Sequence, residues 1–171
     1  MVAAEAYFLR AEGVLNGWNM GGGTAKEYYE KGIELSLQQW GVSDQTVIQN
    51  YINSTAVPEA PADVANSPAV ANTPIRWGST EVVQRAQIGT QKWLAIFPDG
   101  IEGWSEFRRT GYPVMYSLLQ SDNADLPIGT FIKRLPYSSV EASTNAQGLA
   151  EGRKLLGGPD NAATRVWWDV D

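Results

Sequence analysis

The chain has 171 residues, 43% hydrophobic and 19% charged, which suffices for a buried core and excludes a disordered tail. Its 13 Lys and Arg stand against 19 Asp and Glu, a net charge of −6 with a pI near 4.7, which argues against a phosphate-neutralising groove and a nucleic-acid partner. Neither cysteine nor histidine occurs, so thiol nucleophiles, Cys/His zinc sites, imidazole bases and Ser-His-Asp triads are excluded.

No apolar run approaches the roughly 18 to 20 residues of a membrane-spanning helix. The opening MVAAEAYFLRAEG lacks a basic region followed by an apolar core, so the sequence as given is expected to be neither exported nor anchored. From Ala3 to Trp18, Tyr7, Phe8, Ala11, Val14, Leu15 and Trp18 recur at steps of three and four, the pattern of one helix face. A helix beginning so close to Met1, without a preceding loop or cap, is expected of a fragment. After Gly21-Gly22-Gly23, Thr24 stands three residues before Glu27, the spacing of a reciprocal hydroxyl and carboxylate cap. A second helix is predicted from Ala25 to Trp40, with Ala25, Tyr29, Gly32, Ile33, Ser36, Leu37 and Trp40 on its packed face and Gly41 as its stop. Its AKEYYEKGIEL segment is similar to the second helix of a tetratricopeptide repeat, where small residues let two helices approach closely.

A short helix is predicted from Ser43 to Asn53, capped by Ser43 or Asp44. Residues 54–79 hold four of the nine prolines and read as one long irregular loop. Helical periodicity returns from Thr80 to Phe97, aligning Val82, Ala86, Gly89, Trp93 and Ile96 or Phe97, and Pro98 ends it. Asp99 and Glu102 begin a further helix, expected to bury Ile101, Trp104 and Phe107. Beyond Gly111 the pattern dissolves, leaving a short hairpin around Ile128 to Leu135 and a last helix around Gln147 to Leu156 as expectations.

Carboxylates are the only candidates for acid–base work. Glu102 and Glu106 lie one helical turn apart and read as a cap and a solvated or Arg-paired surface group. Asp122, Asn123 and Asp125 offer oxygens but lack the rest of a calcium loop, so a turn is expected and no metal site. Gly21 to Gly23 has the wrong spacing for a phosphate loop. Arg108-Arg109 and Lys133-Arg134 are expected to pair with carboxylates or to meet a partner surface. The seven Trp and seven Tyr are the most suggestive feature, because such side chains stack on sugar rings or fill interface pockets. Trp18, Trp40, Trp93 and Trp104 are expected in the core; Trp77, Tyr112, Tyr116, Tyr137, Trp167 and Trp168 form the looser set.

The segments EAYFLRAEG and AKEYYEKGIELS, Gln91 to Pro113, Ala124 to Ser139 and Gly157 to Asp169 resemble the C-terminal part of SusD/RagB-type nutrient-binding outer-membrane lipoproteins. The resemblance implies a mainly α fold in which a tetratricopeptide-like hairpin is joined to further helices and long irregular loops. One region would span 1–171: tetratricopeptide-like helices over 1–53, the Pro-rich loop over 54–79, and helices with an irregular C-terminal part over 80–171. It also implies a surface-exposed lipoprotein parent whose lipid-bearing cysteine is absent from this sequence. That parent would capture an oligosaccharide or other nutrient without chemical change, use no cofactor and deliver its ligand to a SusC-like TonB-dependent transporter. Family members bind sugars through different aromatic residues, so the ligand residues offered here are Trp77 and Tyr112, with Tyr137 behind them. Two other readings stand beside this one: a tetratricopeptide-type interaction scaffold without a sugar site, and a carboxylate-dependent glycosidase.

Overall fold

The computed structural model describes residues 1–169. Seven helices follow one another: α1 (Ala3–Leu15), α2 (Ala25–Gln39), α3 (Gln45–Ile52), α4 (Glu81–Ala95), α5 (Gly100–Thr110), α6 (Ser139–Thr144) and α7 (Ala146–Lys154). The chain divides into two compact units, Met1–Met115 and Tyr116–Asp171.

In the first unit the turn before α2 is fixed by side chains. The Glu27 amide donates to Thr24 Oγ1 at 3.2 Å and the Thr24 amide to Glu27 Oε2 at 2.7 Å, so the predicted capping box forms. The Arg10 guanidinium donates to the Met20 carbonyl in the turn after α1 and to the Tyr28 hydroxyl in the first turn of α2. Close approach of α1 and α2 depends on Gly32, where an added Cβ would lie 2.8 Å from ring carbons of Phe8. Phe8, Tyr29, Ile33 and Ile48 are at most 1% exposed and form the centre of the core with Ala4, Ala11, Ile52, Ile88 and Ala95. Each large apolar side chain so buried contributes about 1.5 to 3 kcal/mol.

The long loop is anchored at its return. Gln87 Nε2 donates to the carbonyls of Pro74 and Arg76, each at 2.7 Å, and its Oε1 accepts from the Gly78 amide at 3.0 Å. The Tyr29 hydroxyl donates to the Ile75 carbonyl at 2.7 Å, and the Arg76 amide closes the loop on the Ser54 carbonyl at 2.8 Å. Burial pushes the Tyr29 hydroxyl well above the usual tyrosine range.

Several expected placements are corrected. Trp18 and Trp40 are 62% and 58% exposed, because each falls past the last turn of its helix, and Trp93 is also exposed. In α4 and the two residues after it, Val82 and Phe97 are exposed while Ala86, Gly89 and Ile96 are buried as expected. Ile101 is exposed because α5 buries the face carrying Gly103, Glu106 and Arg108 instead. Glu106 is therefore no surface group. The interior accepts it because cations from two helices meet it there.

In the second unit the segment expected to form a hairpin contains no strand; among the described residues no β-strand occurs. Its backbone is held by a loop: the Lys133 amide donates to the Ala162 carbonyl at 2.8 Å. The last helix starts at Ala146, and a short helix, α6, precedes it where none was expected. Ser138 and Asn145 accept from the first-turn amides of α6 and α7, which explains where the chain begins each helix.

Candidate ligand-binding site

The second unit is organised around one carboxylate. Asp160 accepts from Arg134 Nη1 at 2.7 Å, from the Tyr137 amide at 3.0 Å and from Arg153 Nε at 3.1 Å. The Arg134 hydrogen bond is the main reason that its carboxyl is held down from 3.8 to about 2, with the Tyr137 amide and Arg153 adding to it. The Arg134 guanidinium also lies 5.0 Å from the Tyr137 ring centroid. Backbone and ring of Tyr137 are thus both oriented by this cluster.

Tyr137 lines a concavity of about 370 Å³ together with Gly152, Leu155, Arg165, Val166 and Trp167. Trp167 is 90% exposed and Tyr137 40% exposed. Gly152 is required for the Tyr137 side chain to lie where it does, since a Cβ there would meet the hydroxyl at 2.8 Å. Arg165 borders the groove and pairs with Asp169 at 3.1 Å. Two aromatic faces and a guanidinium in an open groove suit reversible stacking and hydrogen bonding to a flat, polar-edged ligand.

The other two nominated residues belong to the first unit and are more enclosed. Trp77 is half-buried against Tyr29, with ring centroids 4.9 Å apart. Tyr112 is half-buried, and its Cβ fills the space that a side chain on Gly89 would occupy. Its amide donates to Thr110 Oγ1 at 3.1 Å.

Glu102 and Glu106 converge on Lys92, whose Nζ lies 3.5 Å and 3.0 Å from them and 4.0 Å from Glu5. Arg109 bridges Glu106 and Glu12 at 2.7 Å each, as a carboxylate-pairing arginine was expected to do. Burial alone would raise the Glu106 carboxyl, but the Arg109 hydrogen bonds and the Lys92 charge outweigh it and hold the group below its ordinary range. The Glu12 contact, followed by that of Glu106, raises Arg109 further. The 121–125 segment forms the expected turn, with Asn123 Oδ1 accepting from the Asp125 amide at 3.0 Å. Among the described residues no group of three or more acidic side chains is arranged to hold a metal ion.

Sequence reasoning left Asp160, Lys92 and Glu5 unmarked and placed Trp167 only in the looser aromatic set. The available signal was their presence in the segments that carry the resemblance: Glu5 in EAYFLRAEG, Lys92 in Gln91 to Pro113, and Asp160 and Trp167 in GGPDNAATRVWWD.

A family model described as SusD-like, SusD and RagB outer membrane lipoprotein, matches residues 1–169. A solved chitin-binding SusD homologue from Flavobacterium johnsoniae is similar at 45% identity and a TM-score of 0.90, covering 100% of this chain and 36% of that one. A SusD homologue from Bacteroides thetaiotaomicron is 37% identical with a TM-score of 0.88, covering 100% of this chain and 38% of its own. Another, from Bacteroides uniformis, is 35% identical with a TM-score of 0.87, covering 100% and 37%. The chain thus spans little more than a third of these relatives. No curated protein sequence matches.

Proposed function

Because the chain belongs to the SusD-like family of outer membrane lipoproteins, we propose that it is part of a surface receptor that captures a neutral glycan and passes it to a SusC-like TonB-dependent transporter. The observation that carries this reading is the 45% identity, over the whole of this chain, to a SusD homologue described as chitin-binding. Oligomers of N-acetylglucosamine are accordingly the first ligand to test. Capture is by shape, stacking and hydrogen bonding, with no covalent step. No helix among the described residues is long and apolar enough to cross a membrane; membership of a lipoprotein family supports attachment through a lipid anchor on the parent protein.

Within this reading Tyr137 is the nominated residue best placed to stack, with Trp167 beside it in the same groove; Trp77 and Tyr112 are half-buried in the first unit. Calorimetric titration of the chain with tetra-N-acetylchitotetraose, repeated with Trp77→Ala, Tyr112→Ala and Tyr137→Ala, tests it. Loss of one stacking face is expected to weaken binding about three- to tenfold. No binding by the unsubstituted chain refutes glycan capture by this region, and unchanged affinity in all three variants removes those residues from the site.

A further inference from the structure

A second concavity lies wholly within the first unit and is lined by none of the three nominated aromatics. It has a volume of about 260 Å³. Tyr29 and Tyr51 form part of its wall, Gln87, Thr90, Gln91 and Leu94 contribute one stripe of α4, and residues 56–58 and 73–75 from the two ends of the long loop complete it. The spacing of the α4 residues at steps of three and four places them on one helix face. The 2.8 Å hydrogen bond from the Arg76 amide to the Ser54 carbonyl holds the two ends of the loop together.

Its chemistry is selective. No lining residue carries a charge, so an ammonium or carboxylate entering it would lose water without meeting a counter-ion. Most of the polar groups are already committed: Gln87 spends its amide on the Pro74, Arg76 and Gly78 backbone, and the Tyr29 hydroxyl donates to Ile75. Gln91 differs. The residue is 8% exposed, and both ends of its side-chain amide meet the same group, the Tyr51 hydroxyl, at 3.3 Å and 3.2 Å. One hydroxyl oxygen cannot accept both N–H bonds of an amide nitrogen, so one N–H of Gln91, a residue that lines this neutral pocket, is left without an acceptor among the described residues. Leaving such a donor unfilled is costly, and a ligand acceptor relieves that cost.

The ligand that fits joins a small apolar end to a neutral acceptor and leaves its remaining polar groups at the open mouth. Resting on the glycan reading above, we propose that this pocket is a subsite for the acetamido group of an N-acetylhexosamine residue. The acetamido carbonyl accepts from Gln91 Nε2, its methyl packs against the accessible apolar wall that includes Val57 and Leu94, and the sugar hydroxyls stay hydrated at the mouth.

The test compares tetra-N-acetylchitotetraose with its fully de-N-acetylated counterpart, using the 171-residue chain and its Gln91→Leu and Leu94→Trp variants. Leu94 is 46% exposed, so Leu94→Trp narrows the mouth without disturbing a buried group, and circular dichroism verifies the fold of each variant. Binding of the acetylated tetramer is expected to exceed that of the deacetylated one by about tenfold or more and to fall about tenfold in Gln91→Leu and in Leu94→Trp. Equal affinity for the two tetramers, or unchanged affinity in folded Gln91→Leu and Leu94→Trp, overturns the subsite while leaving glycan capture standing. No binding of either tetramer by the unsubstituted chain overturns both.

Discussion

Lys92→Met is expected to be among the most damaging single substitutions in the first unit, although it replaces a charge with an apolar side chain of similar length. The lysine is 2% exposed, with Glu106 Oε2 at 3.0 Å and Glu5 Oε1 at 4.0 Å. At an effective dielectric of about 20 these separations correspond to gross attractions of about 5.5 and 4 kcal/mol, against which stands the cost of desolvating the lysine and both glutamates. Removing the cation returns only the lysine's share of that cost. Glu106 keeps Arg109 at 2.7 Å, but Glu5, whose side chain is 6% exposed, loses the one cation within 4.0 Å among the described residues. Breaking a buried pair in this way costs about 3 to 5 kcal/mol, a large part of the roughly 5 to 15 kcal/mol that stabilises a typical domain. Urea unfolding followed by tryptophan fluorescence and far-ultraviolet circular dichroism measures the loss. A second substitution, Glu5→Leu, is expected to restore at least half of it, because it removes the stranded charge. A loss under about 1 kcal/mol, or a double variant weaker than Lys92→Met alone, refutes the argument that Glu5 depends on this lysine.

Gly32→Ala gains about 1 kcal/mol of helix propensity but drives a methyl to 2.8 Å from the Phe8 ring, which is 0% exposed and has no room to retreat. A lowered melting temperature is expected; an equal or higher one shows that α1 and α2 can separate without cost. In the second unit, the Asp160 carboxyl lies near 2 when folded against an ordinary 3.8, so its contribution is complete above about pH 4 and lost as pH falls through 2. Asp160→Asn is expected to weaken the unit at neutral pH and to remove part of that acid-sensitive window, read by acid titration of circular dichroism. An identical acid transition in both proteins counts against Asp160 as the organising group.

Local order was legible in the sequence wherever neighbouring residues decide it. Thr24 with Glu27, Gly41, Asp44 and Asp99 mark helix ends through hydrogen bonds or backbone angles that reach no more than three or four residues, and each performs its expected role. The close approach of α1 and α2 was legible too, because a glycine on a packed helix face has few other uses. Of the candidate site, the sequence offered aromatic residues and the family resemblance but no arrangement. Tertiary structure alone decided which face of α5 turns inward: Ile101 gives way to Glu106 because Lys92 and Arg109, from two different helices, supply the counter-charges that make a buried carboxylate tolerable. It also decided that residues 128–135 form no hairpin, since the Lys133 amide pairs with Ala162, 29 positions further on, rather than with a neighbouring strand. And it separated Tyr137, oriented by Asp160 from a distant loop, from Trp77, whose ring packs on Tyr29. Periodicity records which residues share a face of an element; which faces meet, and which charges neutralise one another there, depends on partners that lie tens of residues apart in the chain.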